Sequence, residues 1–236
     1  MSPVVLEIRD LTASYGSVPI LRGASLTVGQ GEVVGLVGRN GVGKSTLVKA
    51  LMGLLPASAG TIALHGVDLT GTASYLRARQ GLGYVPQGRG IFGTLSVEEN
   101  VRVGEAAVAR VAPDAFDRVY ELFPILRTRR HQRAGSLSGG EQQMLAIARV
   151  LVRDPAVLVL DEPSEGIQPS VVQSLGDMVR NLRDRTGLAV LLVEQNWELI
   201  TRATDRCIVM EKGEIVAELS AEQARDADTA ARYLAL

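Results

Sequence analysis

Apolar positions along this chain keep two rhythms. From Val4 to Ile8, and again from Leu21 to Val28, apolar and polar residues alternate with the period of a half-buried strand. Asp10 and the Gly29-Gln30-Gly31 turn close these runs, which predict antiparallel strands flanking the next stretch, Glu32-Val33-Val34-Gly35-Leu36-Val37. That stretch is mostly aliphatic, as a strand buried on both faces requires, and Leu47 to Met52 behind it reads as a helix. Further short strands are predicted at Thr61 to Leu64 and Leu82 to Val85, with His65-Gly66-Val67-Asp68 as a turn. Between Ser96 and Arg153 the spacing becomes helical: Asp114 is placed to cap a segment ending at Leu122, and a second helix covers Glu141 to Val152. Strands return at Ala156 to Asp161 and Leu188 to Val193, separated by a helix over Val171 to Arg183 with Pro169 at its start and Gly187 past its end. Arg206 to Met210 and Glu214 to Leu219 flank the hairpin signal Glu211-Lys212-Gly213, and Ser220-Ala221-Glu222-Gln223 is a capping box.

The pattern predicts an α/β fold: a mainly parallel sheet flanked by helices, an antiparallel β subdomain and a helical insert. At 236 residues one domain spanning 1–236 is expected, with the helical subdomain inserted at about 91–153. Although 46% of residues are hydrophobic, no run approaches the roughly 20 apolar residues of a membrane-spanning helix. Met1-Ser2-Pro3 leads straight into a strand without a basic start and apolar core, so no secretory signal is read and the cytoplasm is expected. The single cysteine, Cys207, sits in an apolar run and packs as a small hydrophobe. A net charge of -1 and 4% aromatic residues give neither the field nor the stacking surface of a nucleic-acid binder. The basic run Arg127-Thr128-Arg129-Arg130-His131-Gln132-Arg133 reads as a solvated loop, or as a contact with a partner protein or anionic surface.

The chemistry concentrates in three motifs. Gly38-Arg39-Asn40-Gly41-Val42-Gly43-Lys44-Ser45-Thr46 fits the phosphate-loop pattern G-x-x-x-x-G-K-[ST] and lies in the strand-loop-helix setting that the pattern needs. Gly38, Gly41 and Gly43 let the backbone turn its N–H groups around a phosphate, Lys44 would reach the β- and γ-phosphates of ATP, and Ser45 would bind Mg²⁺. Asp161 and Glu162 end an aliphatic strand, placing one acid for Mg²⁺ and one to polarise an attacking water. Gln87 stands just past another strand end, where α/β sheets hold ligands. In Leu137-Ser138-Gly139-Gly140-Glu141-Gln142 a serine and two glycines open a helix, a second anion site whose simplest use is to face a nucleotide held by another subunit. Tyr15 is placed either to stack on adenine or to serve as a half-buried turn tyrosine.

With these motifs in this order, nearly the whole chain resembles the ATP-binding-cassette family, whose fold is of the P-loop NTPase type. The resemblance implies two ATP molecules sandwiched between two cassettes. It implies Tyr15 as the adenine-stacking aromatic and Gly38 to Thr46, Asn40 included, as the phosphate loop. Gln87 becomes the glutamine that senses Mg²⁺, water and the membrane partner, and Ser138, Gly139 and Gly140 the signature offered to the partner's γ-phosphate. Asp161 becomes the Mg²⁺-binding acid and Glu162 the catalytic base. Two positions depart from the family pattern: Gln168 stands where an Asp is usual, and Gln195 where a switch His is usual. An amide N–H of Gln195 can serve the same oxygen as that His; alternatively Gln195 only ends its strand and Glu194 or Asn196 does the polar work.

Glu194-Gln195-Asn196, together with Gly83 to Arg89, resembles the ATPases of bacterial importers for branched-chain amino acids and related polar solutes. Glu165 to Ser170 is closer to the urea branch, and Glu141 to Ile147 to the amino-acid branch. The partners implied are a second cassette, paralogous or identical, integral membrane permease subunits contacted near Gln87 to Asn100, and indirectly a periplasmic solute-binding protein; no nucleic acid is expected. The subunit would lie on the inner face of the plasma membrane through its permeases. The rival reading is a soluble cassette ATPase of DNA repair or translation, but no long coiled-coil insert, second cassette or basic face is visible. A small-molecule kinase with the same phosphate loop would leave Leu137 to Gln142 unexplained.

Overall fold

Two sheets divide the strands according to what each can bury in the computed structural model, which describes residues 3–107, 111–226, 228, 229 and 233. Met1 and Ser2 lie outside the described residues. Strands β1 (Val4–Tyr15) and β2 (Val18–Gly29) pair antiparallel, β4 (Ala59–Leu64) pairs antiparallel with β1, and β5 (Val67–Asp68) with β4, giving the order β2-β1-β4-β5.

The second sheet contains β3 (Val33–Val37), β6 (Leu82–Val85), β7 (Val157–Asp161), β8 (Ala189–Glu194), β9 (Arg206–Glu211) and β10 (Glu214–Ser220) in the order β10-β9-β3-β8-β7-β6. All pairings are parallel except β10 with β9. The first two strands therefore do not flank β3 in its sheet, as their place in the sequence suggested. β3 is buried at all five positions and takes as neighbours β8 and β9, whose central residues are all buried, whereas β1 and β2 alternate and keep one edge of their pattern in solvent.

Alternate residues of the parallel strands feed two cores. Val34, Leu36, Val157, Val159, Leu191 and Val193 pack toward β1, β2 and helix α1 (Lys44–Leu51). Val33, Val37, Leu158, Leu160, Val190 and Leu192 pack toward α6 (Gly139–Leu151) and α7 (Pro169–Thr186). Cys207 is fully buried in this second core, and burial pushes its thiol up to about 11.

Helix α2 (Ser74–Arg79) precedes β6, and α3 (Val97–Val103), α4 (Ala115–Leu122), α5 (Pro124–Thr128) and α6 all fall between β6 and β7. Ser96, Ser138 and Ser220 each close a capping box, at α3, α6 and α9 (Ala221–Arg225). Asp114 does not cap α4: it occupies the position before the helix without a side-chain bond to it, and its carboxylate lies 3.6 Å from Arg118 instead. Gly187, in the left-handed region with φ 66, ends α7, which extends past both expected bounds. The basic run is more engaged than a solvated loop. The carbonyls of Gln132 and Arg130 accept from Val97 N–H and Glu98 N–H at the start of α3, Arg127 pairs with Asp117 at 2.7 Å, and Arg129 with Glu141 at 3.2 Å.

A buried arginine holds α1 in place. Arg77, from α2, donates through Nη1 to the carbonyls of Ala50 and Leu51, both at 2.7 Å, and through Nη2 and Nε to those of Thr70 and Thr72. The charge therefore meets the end of α1 where unpaired carbonyls collect, fixing the helix whose other end carries Lys44 and Ser45.

Candidate active site

The phosphate loop leaves β3 at Val37 and enters α1 at Lys44. A Cβ at Gly38 would collide with the carbonyl oxygen of Met210, so only glycine lets the loop lie against β9 there. Gly43 precedes α1 in a left-handed conformation and makes no side-chain cap, which leaves the first N–H groups of the helix available to an anion. Lys44, 4% exposed, curls back over the loop: Nζ donates to the carbonyls of Gly38 at 2.7 Å and Arg39 at 3.2 Å. Asn40, Gly41, Gly43, Lys44, Ser45 and Thr46 line a pocket of about 190 Å³, with Ile20 and Glu162 on its walls. Ser45 is exposed and Thr46 buried.

β7, two strands from β3, brings the acids to the same end of the sheet. Glu162 Oε1 lies 3.7 Å from Lys44 Nζ, and Gln87 Nε2 donates to Glu162 Oε2 at 3.3 Å. Burial pushes the Glu162 carboxyl above the usual carboxylate range, a shift that the Lys44 ammonium opposes but does not cancel. Asp161 is raised too, chiefly by burial, against the hydrogen bond that Tyr84 donates to its Oδ2 at 3.1 Å. Its other oxygen, Oδ1, is buried without a hydrogen-bond partner. A buried carboxylate oxygen left open next to Glu162, with the exposed Ser45 hydroxyl in the pocket that Glu162 lines, suits Mg²⁺, a hard cation that keeps waters and shares substrate phosphates. No group of three metal-ligating side chains occurs among the described residues, so any such ion would be held by few protein ligands.

The other candidates take different positions. Gln195 is exposed at the end of β8 and lines a cavity of about 500 Å³ with Gly38, Arg39 and Asn40, beside the phosphate pocket. Tyr15, at the end of β1, is 46% exposed, with Lys49 Nζ 5.8 Å from its ring centre. Ser138, Gly139 and Gly140 open α6 but line neither cavity beside the phosphate loop. Sequence reasoning missed Tyr84, hidden in an apolar strand, and the weight of Glu194. That carboxylate is wholly buried and accepts N–H bonds from Ser164, Gln195 and Asn196. Its signal was the same as that of Asp161, an acid closing an aliphatic strand.

A strand-loop-helix phosphate cradle beside two strand-end acids, with a serine-glycine helix start elsewhere in the chain, defines a nucleotide-hydrolysing cassette. The family model described as ABC transporter matches residues 21–165, and the chain belongs to that family, whose cassettes hydrolyse ATP to power transport. It is 42% identical over 213 residues to the high-affinity branched-chain amino acid transport ATP-binding protein BraG of Pseudomonas aeruginosa, covering 90% of this chain and 91% of the relative. Identity to the probable branched-chain amino acid transport ATP-binding protein LivF of Archaeoglobus fulgidus is 35%, over 89% and 90% of the two chains. The lipopolysaccharide export system ATP-binding protein LptB of Escherichia coli is 34% identical, over 90% and 89%. Among solved structures, the ADP conformation of an ATP-binding cassette of an ABC transporter superposes with a TM-score of 0.87 at 25% identity, covering all of both chains.

Proposed function

We propose that this chain is the ATPase subunit of an importer for branched-chain or other hydrophobic amino acids. It would be held on the inner face of the plasma membrane by permease subunits that a periplasmic binding protein supplies with solute. The amino-acid branch is favoured over urea by the two amino-acid transport relatives, each matching about nine-tenths of the chain. In this reading residues 1–236 form one cassette with a helical subdomain at about 91–153.

The observation that carries the catalytic reading is the meeting of Lys44 and Gln87 at the Glu162 carboxylate, at 3.7 Å and 3.3 Å, beside the open oxygen of Asp161. Lys44 would exchange its two loop carbonyls for the β- and γ-phosphates of ATP. Ser45 and Asp161 would hold Mg²⁺, which supplies charge neutralisation at those phosphates when bound. Glu162, raised by burial, would accept a proton from the attacking water, with Gln87 orienting its carboxylate. Gln195 would donate from its amide to the γ-phosphate side, and Tyr15 would offer its exposed ring to adenine.

Ser138, Gly139 and Gly140 would complete the site of a second cassette, a paralogue or another copy, because they open a helix yet line neither cavity beside this chain's own phosphate loop. Tyr75 and Leu76 on α2, Val103 on α3 and Phe92 before α3 are exposed apolar side chains of the kind that a permease would cover.

Reconstitution with its permeases in vesicles tests the reading. Leucine, isoleucine or valine delivered by the binding protein should stimulate ATP hydrolysis, and Glu162→Gln should lower that turnover by about 10²–10⁴-fold while ATP still binds. Stimulation by urea alone would move the chain to the other branch; wild-type turnover by Glu162→Gln would remove Glu162 as base.

A further inference from the structure

The end of β8 carries a charged group for which the reaction as proposed has no use. Glu194 has no exposed surface. Its Oε2 accepts from Gln195 N–H and Asn196 N–H, both at 2.9 Å, and its Oε1 accepts from Ser164 N–H at 2.8 Å. All three partners are backbone donors, and the first two belong to the residues that follow β8. The third belongs to the loop two residues beyond Glu162. Glu162 N–H in turn donates to the carbonyl of Val193 at 2.8 Å.

The segment from Glu162 to Ser164 is thus stitched at both ends to the last two residues of β8. It needs holding, because Glu162 is in the left-handed region with φ 45, a conformation that a glutamate does not adopt unaided. A carboxylate is the side chain that can do this, since it has two oxygens, no proton to donate, and lone pairs enough for three N–H groups. Asn196 continues the chain of contacts: its side chain accepts from Leu199 N–H and caps α8 (Trp197–Ala203).

We propose that Glu194 is a positioning residue that locks the Glu162–Ser164 turn to the backbone of Gln195 and Asn196, so that base and strand end keep one geometry. This rests on the reading of Glu162 as the base.

Glu194→Gln is the sharp test, since it changes one oxygen to an NH₂ group. With its remaining oxygen on Gln195 and Asn196, the amide opposes donor to donor at Ser164 and frees that end of the turn; reversed, it frees Gln195 and Asn196. The expected result is a fall in kcat of about 10- to 100-fold with ATP affinity within about threefold of wild type. In a Glu162→Gln background the same change should cost nothing further in single-turnover hydrolysis, because a group acting through the base has nothing left to position. A loss that multiplies in that background, or a kcat within about threefold of wild type, would overturn the proposal.

Amide hydrogen exchange on the unaltered protein gives an answer that does not depend on the variant folding or on Glu162 being the base. Slow exchange at Ser164, Gln195 and Asn196 is expected, and exchange at Ser164 at the rate of a free peptide would refute the clamp. If the exchange result holds while Glu162→Gln retains full turnover, it is the base assignment that fails.

Discussion

Replacing Gly213 by alanine should loosen the phosphate loop from a distance. Gly213 forms the turn between β9 and β10 with φ 85, its N–H donates to the carbonyl of Val42 inside the loop at 2.8 Å, and its carbonyl accepts from Arg22 N–H at 2.9 Å. A Cβ there would overlap the carbonyl oxygen of Ile20 and lie 2.9 Å from its carbon, backbone atoms that cannot rotate away. The turn must retreat by roughly an ångström or more, which lengthens both hydrogen bonds beyond useful range. The left-handed conformation costs alanine about 1 kcal/mol, overpacking about 1–3, and each lost bond about 0.5–1.5, giving about 3–5 kcal/mol when overlap among these effects is allowed for. For a domain of this size the melting temperature should fall by about 6–20 °C. Gly66→Ala is the control, because Gly66 has φ 75 but open space around its Cβ position. That change should cost only about 1 kcal/mol, or about 2–4 °C. Thermal melts of both variants, with ATP titrations, decide the matter: the Gly213 variant should also bind ATP about tenfold more weakly, a loss of about 1.4 kcal/mol. Melting of the two variants within about 2 °C of each other would refute the wedge.

Lys44→Ala should weaken ATP binding by about tenfold or more, and a Kd within about threefold of wild type would exclude Lys44 as the phosphate ligand. Glu162→Gln should raise the melting temperature of the nucleotide-free protein at pH 7.5. Burial raises the folded carboxyl, so its contribution to stability is present below the unfolded carboxylate pKa and lost as pH rises through the folded one. Melts from pH 4 to 8 should show the advantage of the variant vanish at the acid end, and equal melting at pH 7.5 would count against the shift. Gln195→Ala should lower kcat by about 10- to 1,000-fold with little change in ATP affinity. Gln195→His should keep activity and acquire a pH dependence near neutrality, and an unaltered kcat in the alanine variant would leave Gln195 without a role in turnover.

What could be read from the sequence was what is local. The phosphate loop is nine consecutive residues whose spacing carries its chemistry, and Asp161 and Glu162 announce themselves by ending an aliphatic strand. The capping box at Ser220 spans four consecutive residues. Sheet membership was not local: β1 and β2 precede β3 in order, yet β3 lies between β8 and β9, strands buried on both faces as β3 is, and not beside the half-buried β1 and β2. Asp114 failed as a cap because Arg118, one turn on, competes for its carboxylate. Arg77 gave no warning, and Glu194 signalled only a strand-end acid; nothing in their own neighbourhoods predicts that a helix end or a turn distant in sequence would gather around them.

The place of β3 between β8 and β9 also governs the order in which the molecule can be made. Val33 N–H donates to Asp205 Oδ2, a partner 172 positions later, and every sheet neighbour of the phosphate-loop strand comes from the last quarter of the chain. On the ribosome, the nucleotide motif emerges early and must wait, its aliphatic strand unpaired, until residues near 210 have left the exit tunnel. Closing contacts across such spans makes this a slow step, and a nascent chain halted before β8 would expose an aggregation-prone edge where the finished protein has a fully buried strand.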